Sequence, residues 1–290
     1  MGIQITEGGQ GMSLYKLAAF DMDGTLLNSA KEIQPSATAA FKRAIQAGRI
    51  LALDTGRAVT ELRQYPFIEM GIRYGACACG TVIYDFQENR VLAKKSIPAE
   101  LIPIIVEASR EEDLMFQAMV DGISYVEEAS VKRMDHYQMG IYQPLYEDTT
   151  SYAEDVRDFA LAHADSINKI NLYHTDPESR ERTGKRLAGL PLDFTYAETT
   201  SFEITPQGVS KGTGLQDLCR VLDIPIDQAI GVGDAFNDVP MLRMAGLGIA
   251  MGNSNEAALK AADVIVGDND HDGIAEVIDR YLIGGPFPLG

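Results

Sequence analysis

The sequence predicts an α/β fold: a parallel sheet flanked by helices, with an α+β domain inserted into it. Three observations carry this expectation. Short, mostly apolar runs at 14–20, 50–53 and 229–233 each stop at an aspartate: Asp21, Asp54 and Asp234. Runs of this length without a helical period read as buried strands. A helix signal separates the first two runs, and a strand–helix–strand order implies parallel neighbours. The stretch 89–205 departs from this alternation, with hairpin signals among mixed helices. The expected division is therefore a flexible extension at 1–12, a discontinuous core at 13–88 and 206–290, and the inserted domain at 89–205.

After the first strand, Pro35 and Ser36 open a helix with Ser36 as cap, Phe41 and Ile45 on one face, and Gly48 at its end. Residues 58–65 read as the next helix, stopped by Pro66. The stretch 74–84 is strand-like, with breaks at Gly75 or Gly80, and 91–96 is its hairpin partner across a polar turn. In the insert, Leu101, Ile104, Ile105 and Ala108 repeat at helical spacing, with Pro103 tolerated in the first turn. Asp121-Gly122 splits 115–126 as a hairpin turn. Residues 152–163 and 177–187 read as helices, and 169–172 as a half-buried strand with alternating polar residues. Two short strands follow around 198–201. The core resumes with a helix from Lys211 whose face is Leu215, Leu218 and Leu222. Strands at 229–233, 247–251 and 264–266 then alternate with helices at 240–245, 255–262 and 273–282, and 284–290 reads as a tail.

Composition bounds the function. The chain has 290 residues, 46% of them hydrophobic and 23% charged, enough for a sizeable core. No apolar stretch approaches the ~18 residues of a membrane span. A net charge of −17 argues against nonspecific nucleic-acid binding. It leaves an anionic substrate open, because a metal and a few cations reverse the field within one pocket. Cys77, Cys79 and Cys219 fit no zinc spacing and read as buried free thiols. Few cysteines and no signal peptide point to the cytoplasm. The start at 1–6 matches a loose myristoylation pattern that is short and common. The four histidines, His136, His163, His174 and His271, match no metal spacing.

Parallel strands bring the three aspartate-bearing ends to one edge of the sheet, where α/β proteins bind ligands. Asp21, Asp23, Asp234 and Asp238 gather there with Thr55, Gly56, Asn237 and Arg57. Hard oxygen ligands in such a cluster suit Mg²⁺. A solvated Asp/Gly turn is the competing reading for any one of these stretches.

The runs Asp21-Met-Asp-Gly-Thr, Thr55-Gly56-Arg57, Gly208-Val-Ser-Lys211 and Gly233-Asp-Ala-Phe-Asn-Asp238 stand in the order of four motifs. In that order they resemble the haloacid dehalogenase superfamily. The spacing is similar to its Cof-type phosphatases, in which a large α+β cap follows the second motif. The resemblance implies a Rossmann-like core and a Mg²⁺-dependent phosphatase acting on a small phosphorylated metabolite such as a sugar phosphate. It implies Asp21 as nucleophile, forming an aspartyl phosphate, and Asp23 as general acid/base. It also implies Asp21, the Asp23 carbonyl and Asp234 as metal ligands, with Asp238 behind them. Thr55, Gly56, Lys211 and Asn237 would take the phosphate. Arg57, Lys169 and the Asp121-Gly122 turn are candidates to face the substrate, and Asp54 faces away or touches it. Cys79 stands where the family usually has Asn. A phosphomutase of the same superfamily is the first alternative, and a phosphoaspartate signalling switch the second. No nucleic-acid or membrane partner is expected, and the chain is expected as a monomer or small homo-oligomer.

Overall fold

A computed structural model describes residues 14–196 and 198–285. The extension at 1–12, its myristoylation pattern and most of the tail lie outside the described residues. Eight strands form one sheet: β1 (Leu17–Phe20), β2 (Ile50–Asp54), β3 (Ile72–Cys77), β4 (Val82–Asp85), β5 (Arg90–Lys94), then, after the insert, β12 (Ala229–Gly233), β13 (Leu247–Ala250) and β14 (Val264–Ile265). Six strands form a second sheet: β6 (Leu114–Val120), β7 (Ile123–Val126), β8 (Ser151–Tyr152), β9 (Ile167–His174), β10 (Leu192–Thr195) and β11 (Ser201–Pro206).

The larger sheet runs β14-β13-β12-β1-β2-β3-β4-β5, parallel as far as β3 and closed by the antiparallel pair β4 and β5. Phe20 pairs with Val232 on one side and Leu53 on the other. Asp21, Gly233-Asp234 and Asp54-Thr55 therefore leave the sheet at one level. The chain moves outward from β1 through β2 and later returns to β12 on β1's other side. That reversal is a switch point, where a crevice opens beyond the strand ends.

Alternation along β1 builds two layers of core. Ala18 and Phe20 pack towards the helix Pro35–Gln46, with the Phe20 and Phe41 rings 5.8 Å apart. Leu17 and Ala19 pack on the other face with Leu215 and Leu218 of the helix Lys211–Val221.

The second sheet runs β10-β11-β9-β6-β7-β8, with β9 at its centre. Phe116, Ala118, Ile170 and Leu172 pack with residues of the helices Ile102–Arg110 and Val156–Ala162. Alternation sends Gln117, Lys169, Asn171 and Tyr173 to the opposite face, against the core domain. This corrects the expectation of a half-buried strand: β9 is buried along its whole length. Its polar face is turned into an interior seam, not into water.

Other expectations move as well. The stretch 90–94 pairs with β4, so the handover to the insert falls past Lys94 and not at residue 88. Residues 58–65 form only the short 3₁₀ turn Thr60–Leu62. Ser36 lies inside the first helix turn, which starts at Pro35 without a side-chain cap. Ile104 is exposed, since the buried stripe of its helix runs through Ile102, Ile105 and Val106. Cys77, Cys79 and Cys219 are free and buried, as expected.

One close approach fixes the helix that carries Lys211. Gly80 has φ +87°, and a Cβ on Gly214 would lie 2.6 Å from the Gly80 Cα. Backbone meets backbone here, so neither side can yield by turning a rotamer. Gly214→Ala should destabilise the fold by about 1–3 kcal/mol, the range for overpacking a close contact. Urea unfolding checks it, and an unchanged midpoint would mean that the helix is free to shift.

Candidate active site

Lys211 opens its helix, whose first turn is fixed by a reciprocal pair: Ser210 Oγ accepts from Thr213 N, and Thr213 Oγ1 accepts from Ser210 N. A helix N-terminus disfavours a cation. Two carboxylates reverse that preference. Lys211 Nζ lies 2.5 Å from Asp21 Oδ1 and 2.5 Å from Asp238 Oδ1, and is almost wholly buried. The other oxygen of Asp238 accepts from the amides of Asp234 and Ala235, at 2.9 Å each. Thr25 Oγ1 donates to Asp234 Oδ1 at 2.6 Å. Gly24 makes that approach possible: it has φ +85°, and a Cβ there would sit 2.5 Å from Asp234 Oδ2.

One oxygen from each of Asp21, Asp234 and Asp238 falls within 4.8 Å of the others. Burial pushes Asp21 up to about 8; Lys211 pulls it down, while Asp238 and Asp234 push it up again. Burial also raises Asp234 to about 6, with the Thr25 hydroxyl opposing and Asp238 adding to the rise. Three carboxylates share one ammonium, so a further cation is the natural way to keep all of them ionised. Asp238 is already engaged by Lys211 and two amides. Asp21 and Asp234 are thus the side chains left to bind a hard divalent ion, and their oxygen donors fit Mg²⁺.

Asp21 borders a cavity of about 290 Å³ between the sheet edge and the insert. Asp23, Thr55, Gly56, Arg57 and Asn237 line it too. Asp23 is clamped. Arg57 donates through Nε (2.9 Å) and Nη2 (2.8 Å), and Lys31 Nζ lies 2.8 Å away. Burial works against the charge of Asp23, but Arg57 and Lys31 outweigh it and hold the carboxyl below its ordinary value.

The expected residues thus converge, with three exceptions. Lys169 is wholly buried behind the cavity wall, paired with Glu203 at 2.8 Å and donating to the Gly56 carbonyl at 3.2 Å. The Asp121-Gly122 turn does not border the cavity: the Gly122 carbonyl accepts from the Thr60 amide. Asp54 is wholly buried with neither oxygen partnered among the described residues, and burial raises its pKa well above the carboxylate range. Cys79 sits at φ +59° with Sγ 3.3 Å from Lys169 Nζ. None of the four histidines lines the cavity.

Sequence reasoning missed Thr25, although it follows the aspartate pair directly. It also missed the cavity's far wall, which includes Glu61, Asn171, Tyr173 and Glu203. Asn171 and Tyr173 carried a signal, because they share a strand face with Lys169; Glu61 and Glu203 carried none.

A family model described as haloacid dehalogenase-like hydrolase matches residues 18–278. The chain belongs to the haloacid dehalogenase-like hydrolases. It is an enzyme of that family, with the family's α/β core and an inserted α+β domain. Among its relatives is the pyridoxal phosphate phosphatase YbhA of Escherichia coli, 28% identical over 282 residues, covering 92% of this chain and 99% of the relative. Another is the phosphatase YwpJ of Bacillus subtilis, 27% identical over 288 residues, covering 92% and 100%. A solved haloacid dehalogenase-like hydrolase from Bacteroides thetaiotaomicron superposes with a TM-score of 0.78 at 26% identity, covering 91% of this chain and 98% of its own.

The Asp23 clamp has a measurable consequence. With Arg57 removed, burial acts on Asp23 opposed only by Lys31. Arg57→Ala should therefore raise the Asp23 pKa. Carboxyl NMR titration, with Asp23→Asn to assign the resonance, reads the shift; no rise would mean that Lys31 alone sets it.

Proposed function

We propose that this hydrolase is a Mg²⁺-dependent phosphatase for a small phosphorylated metabolite, working through an aspartyl phosphate on Asp21. The observation that carries the proposal is Asp21 itself: a buried carboxylate held by Lys211 beside Asp234, bordering the cavity between the sheet edge and the insert. The names of the relatives agree, since pyridoxal phosphate is a small phosphomonoester.

Lys211 engages Asp21 Oδ1, so Oδ2 is the attacking oxygen. It bonds to phosphorus as the bond from phosphorus to the leaving alkoxide breaks, and Asp23 gives that alkoxide its proton. Water then attacks the phosphorus of the acyl phosphate, Asp23 takes the water's proton, and Asp21 leaves as a free carboxylate. Lys211, Thr55, the Gly56 amide and Asn237 bind the phosphoryl oxygens. Asp21, Asp234 and the Asp23 carbonyl would hold the Mg²⁺, which when bound gathers charge on the transferring group. Asp23 must be protonated for the first step, yet Arg57 holds it ionised. Arg57 lines the cavity, so an arriving phosphate can draw the guanidinium away and let the carboxyl regain its proton.

Chelation should abolish turnover and Mg²⁺ restore it, and Asp234→Ala should weaken Mg²⁺ binding without unfolding the core. Full activity in excess chelator would remove the metal from the proposal. The two aspartates separate in a second experiment. Asp21→Asn should form neither covalent intermediate nor product. Asp23→Asn keeps the nucleophile and loses the proton carrier, which is worth about 10²–10⁴-fold in general acid–base catalysis. An aryl phosphate has a leaving group stable as an anion, so the first step survives and hydrolysis of the acyl phosphate becomes limiting. Rapid-quench mass spectrometry should show a burst of phenol and phosphate on Asp21; turnover at the wild-type rate, or label elsewhere, would reverse the assigned roles.

A further inference from the structure

The phosphate end of the cavity follows from the sheet edge; the opposite wall follows from a chain of hydrogen bonds in which each link orients the next. Glu61 accepts from the Ala58 amide at Oε2 (3.0 Å) and from Gln117 Nε2 at Oε1 (2.7 Å). A carboxylate accepts and does not donate, so it fixes which end of Gln117 faces it. Gln117 Oε1 then points the other way and accepts from Asn171 Nδ2 (2.8 Å) and from one of the Tyr173 and Tyr146 hydroxyls, which lie 3.0 and 3.1 Å away and use their other proton between themselves. This orients Asn171 in turn. Its amide nitrogen is bound into the network, and its carbonyl Oδ1 has no partner among the described residues. Asn171 is 3% exposed and lines the cavity. A buried carbonyl left unpaired is destabilising, so a ligand donor that reached it would be favoured.

Glu203 adds a second acceptor to the same wall. Lys169 and Thr195 meet it at one oxygen, Oε2, at 2.8 and 3.1 Å. Glu198 lines the cavity as well and takes the Tyr142 hydroxyl at its carboxylate and the Ser201 hydroxyl at its carbonyl, while the Tyr196 hydroxyl is a neutral donor on the same side. The Tyr146 and Tyr173 hydroxyls, 2.7 Å apart, are occupied with each other and with Gln117. Lys169 is buried behind Glu203, and Arg57 is bound to Asp23 at the phosphate end.

We infer that the substrate's leaving group brings N–H or O–H donors to Asn171 and Glu203 and carries no second anionic group. The substrate class is a monophosphate of an uncharged or amino-bearing molecule, small enough for a cavity of about 290 Å³. A second carboxylate or phosphate would meet Glu203 with no free cation beside it, and like charges brought together repel. The inference rests on the proposed phosphatase reading, so its test reads binding apart from chemistry.

Asp21→Asn protein with Mg²⁺ is titrated calorimetrically with matched esters: glucose 6-phosphate against 6-phosphogluconate, glycerol 3-phosphate against 3-phosphoglycerate, and ethanolamine phosphate against phosphoglycolate. At least one donor-bearing ester should bind about tenfold or more tighter than its carboxylate twin. If none binds tighter than its twin, the inference is overturned. Wild-type turnover of an aryl phosphate reports separately on the phosphatase reading. In the Asp21→Asn background, Glu203→Gln should bring the preference down to about threefold or less, because it removes the opposing charge and leaves the Lys169 charge uncompensated. A ratio that stays at its original value would also overturn the assignment, since loss of packing alone weakens both twins alike.

Discussion

The ammonium of Lys211 between Asp21 and Asp238 is the constraint on which the site depends. It ties residues separated by 190 and 27 positions in the chain. Its charge stands at a helix N-terminus, out of water, where neither the helix nor the solvent favours it. Only the two carboxylates hold it there. Removing one partner of a buried pair typically costs about 3–5 kcal/mol, because the survivor is left uncompensated. The same cluster is incomplete in charge, with three carboxylates against one lysine. It therefore holds the two segments of the core together across the insert while remaining receptive to a divalent ion.

The segment that follows β2 couples the phosphate end to the insert. Thr55 and Gly56 border the cavity, and within six residues the chain reaches Glu61. Along this short path Gly56 accepts from Lys169, the Thr60 amide donates to Gly122, Thr60 Oγ1 accepts from the Ser124 amide, and Glu61 accepts from Gln117. Each partner lies in the insert. The distance from Asp21 to the far wall is thus set by a piece of backbone that is itself part of the phosphate end.

The sheet edge was legible in the sequence because its parts are local. Asp21 directly follows a strand, Asp234 does the same, and Lys211 opens a helix, so each position follows from an apolar run and its end. The far wall was not legible. Glu61, Gln117, Tyr146, Asn171 and Glu203 come from five separate stretches, and no spacing along the chain marks their meeting. Residues 169–172 show why. Their alternation was read correctly as one polar and one apolar face, but polarity was taken to mean water. The polar face instead meets Gly56, Cys79, Glu203 and Gln117, which satisfy Lys169 and the Asn171 amide nitrogen and leave Asn171 Oδ1 unpaired. The 58–65 stretch misled for a related reason. It was read as a helix stopped by Pro66, while the backbone groups at Ala58 and Thr60 are taken up by Glu61 and Gly122 and do not extend a helix.

This wall also bears on the choice between hydrolysis and the mutase chemistry that the same motifs permit. A mutase moves a phosphoryl group between two positions of one substrate and must hold a second phosphate away from the nucleophile. That demands a cation or a cluster of free donors on the far side of the cavity. The insert does place a lysine in the right strand, at Lys169. Glu203 and the Gly56 carbonyl hold it behind the wall, and the carboxylates that line the cavity on that side are Glu203 and Glu198. A second phosphate at that end would be repelled by Glu203 and would receive no hydrogen bond from Asn171 Oδ1. Water needs no such site: in the proposed hydrolysis it would meet Asp23 as base and a phosphoryl group already on Asp21. The arrangement of the far wall therefore weighs for transfer to water over transfer to a second phosphorylated alcohol.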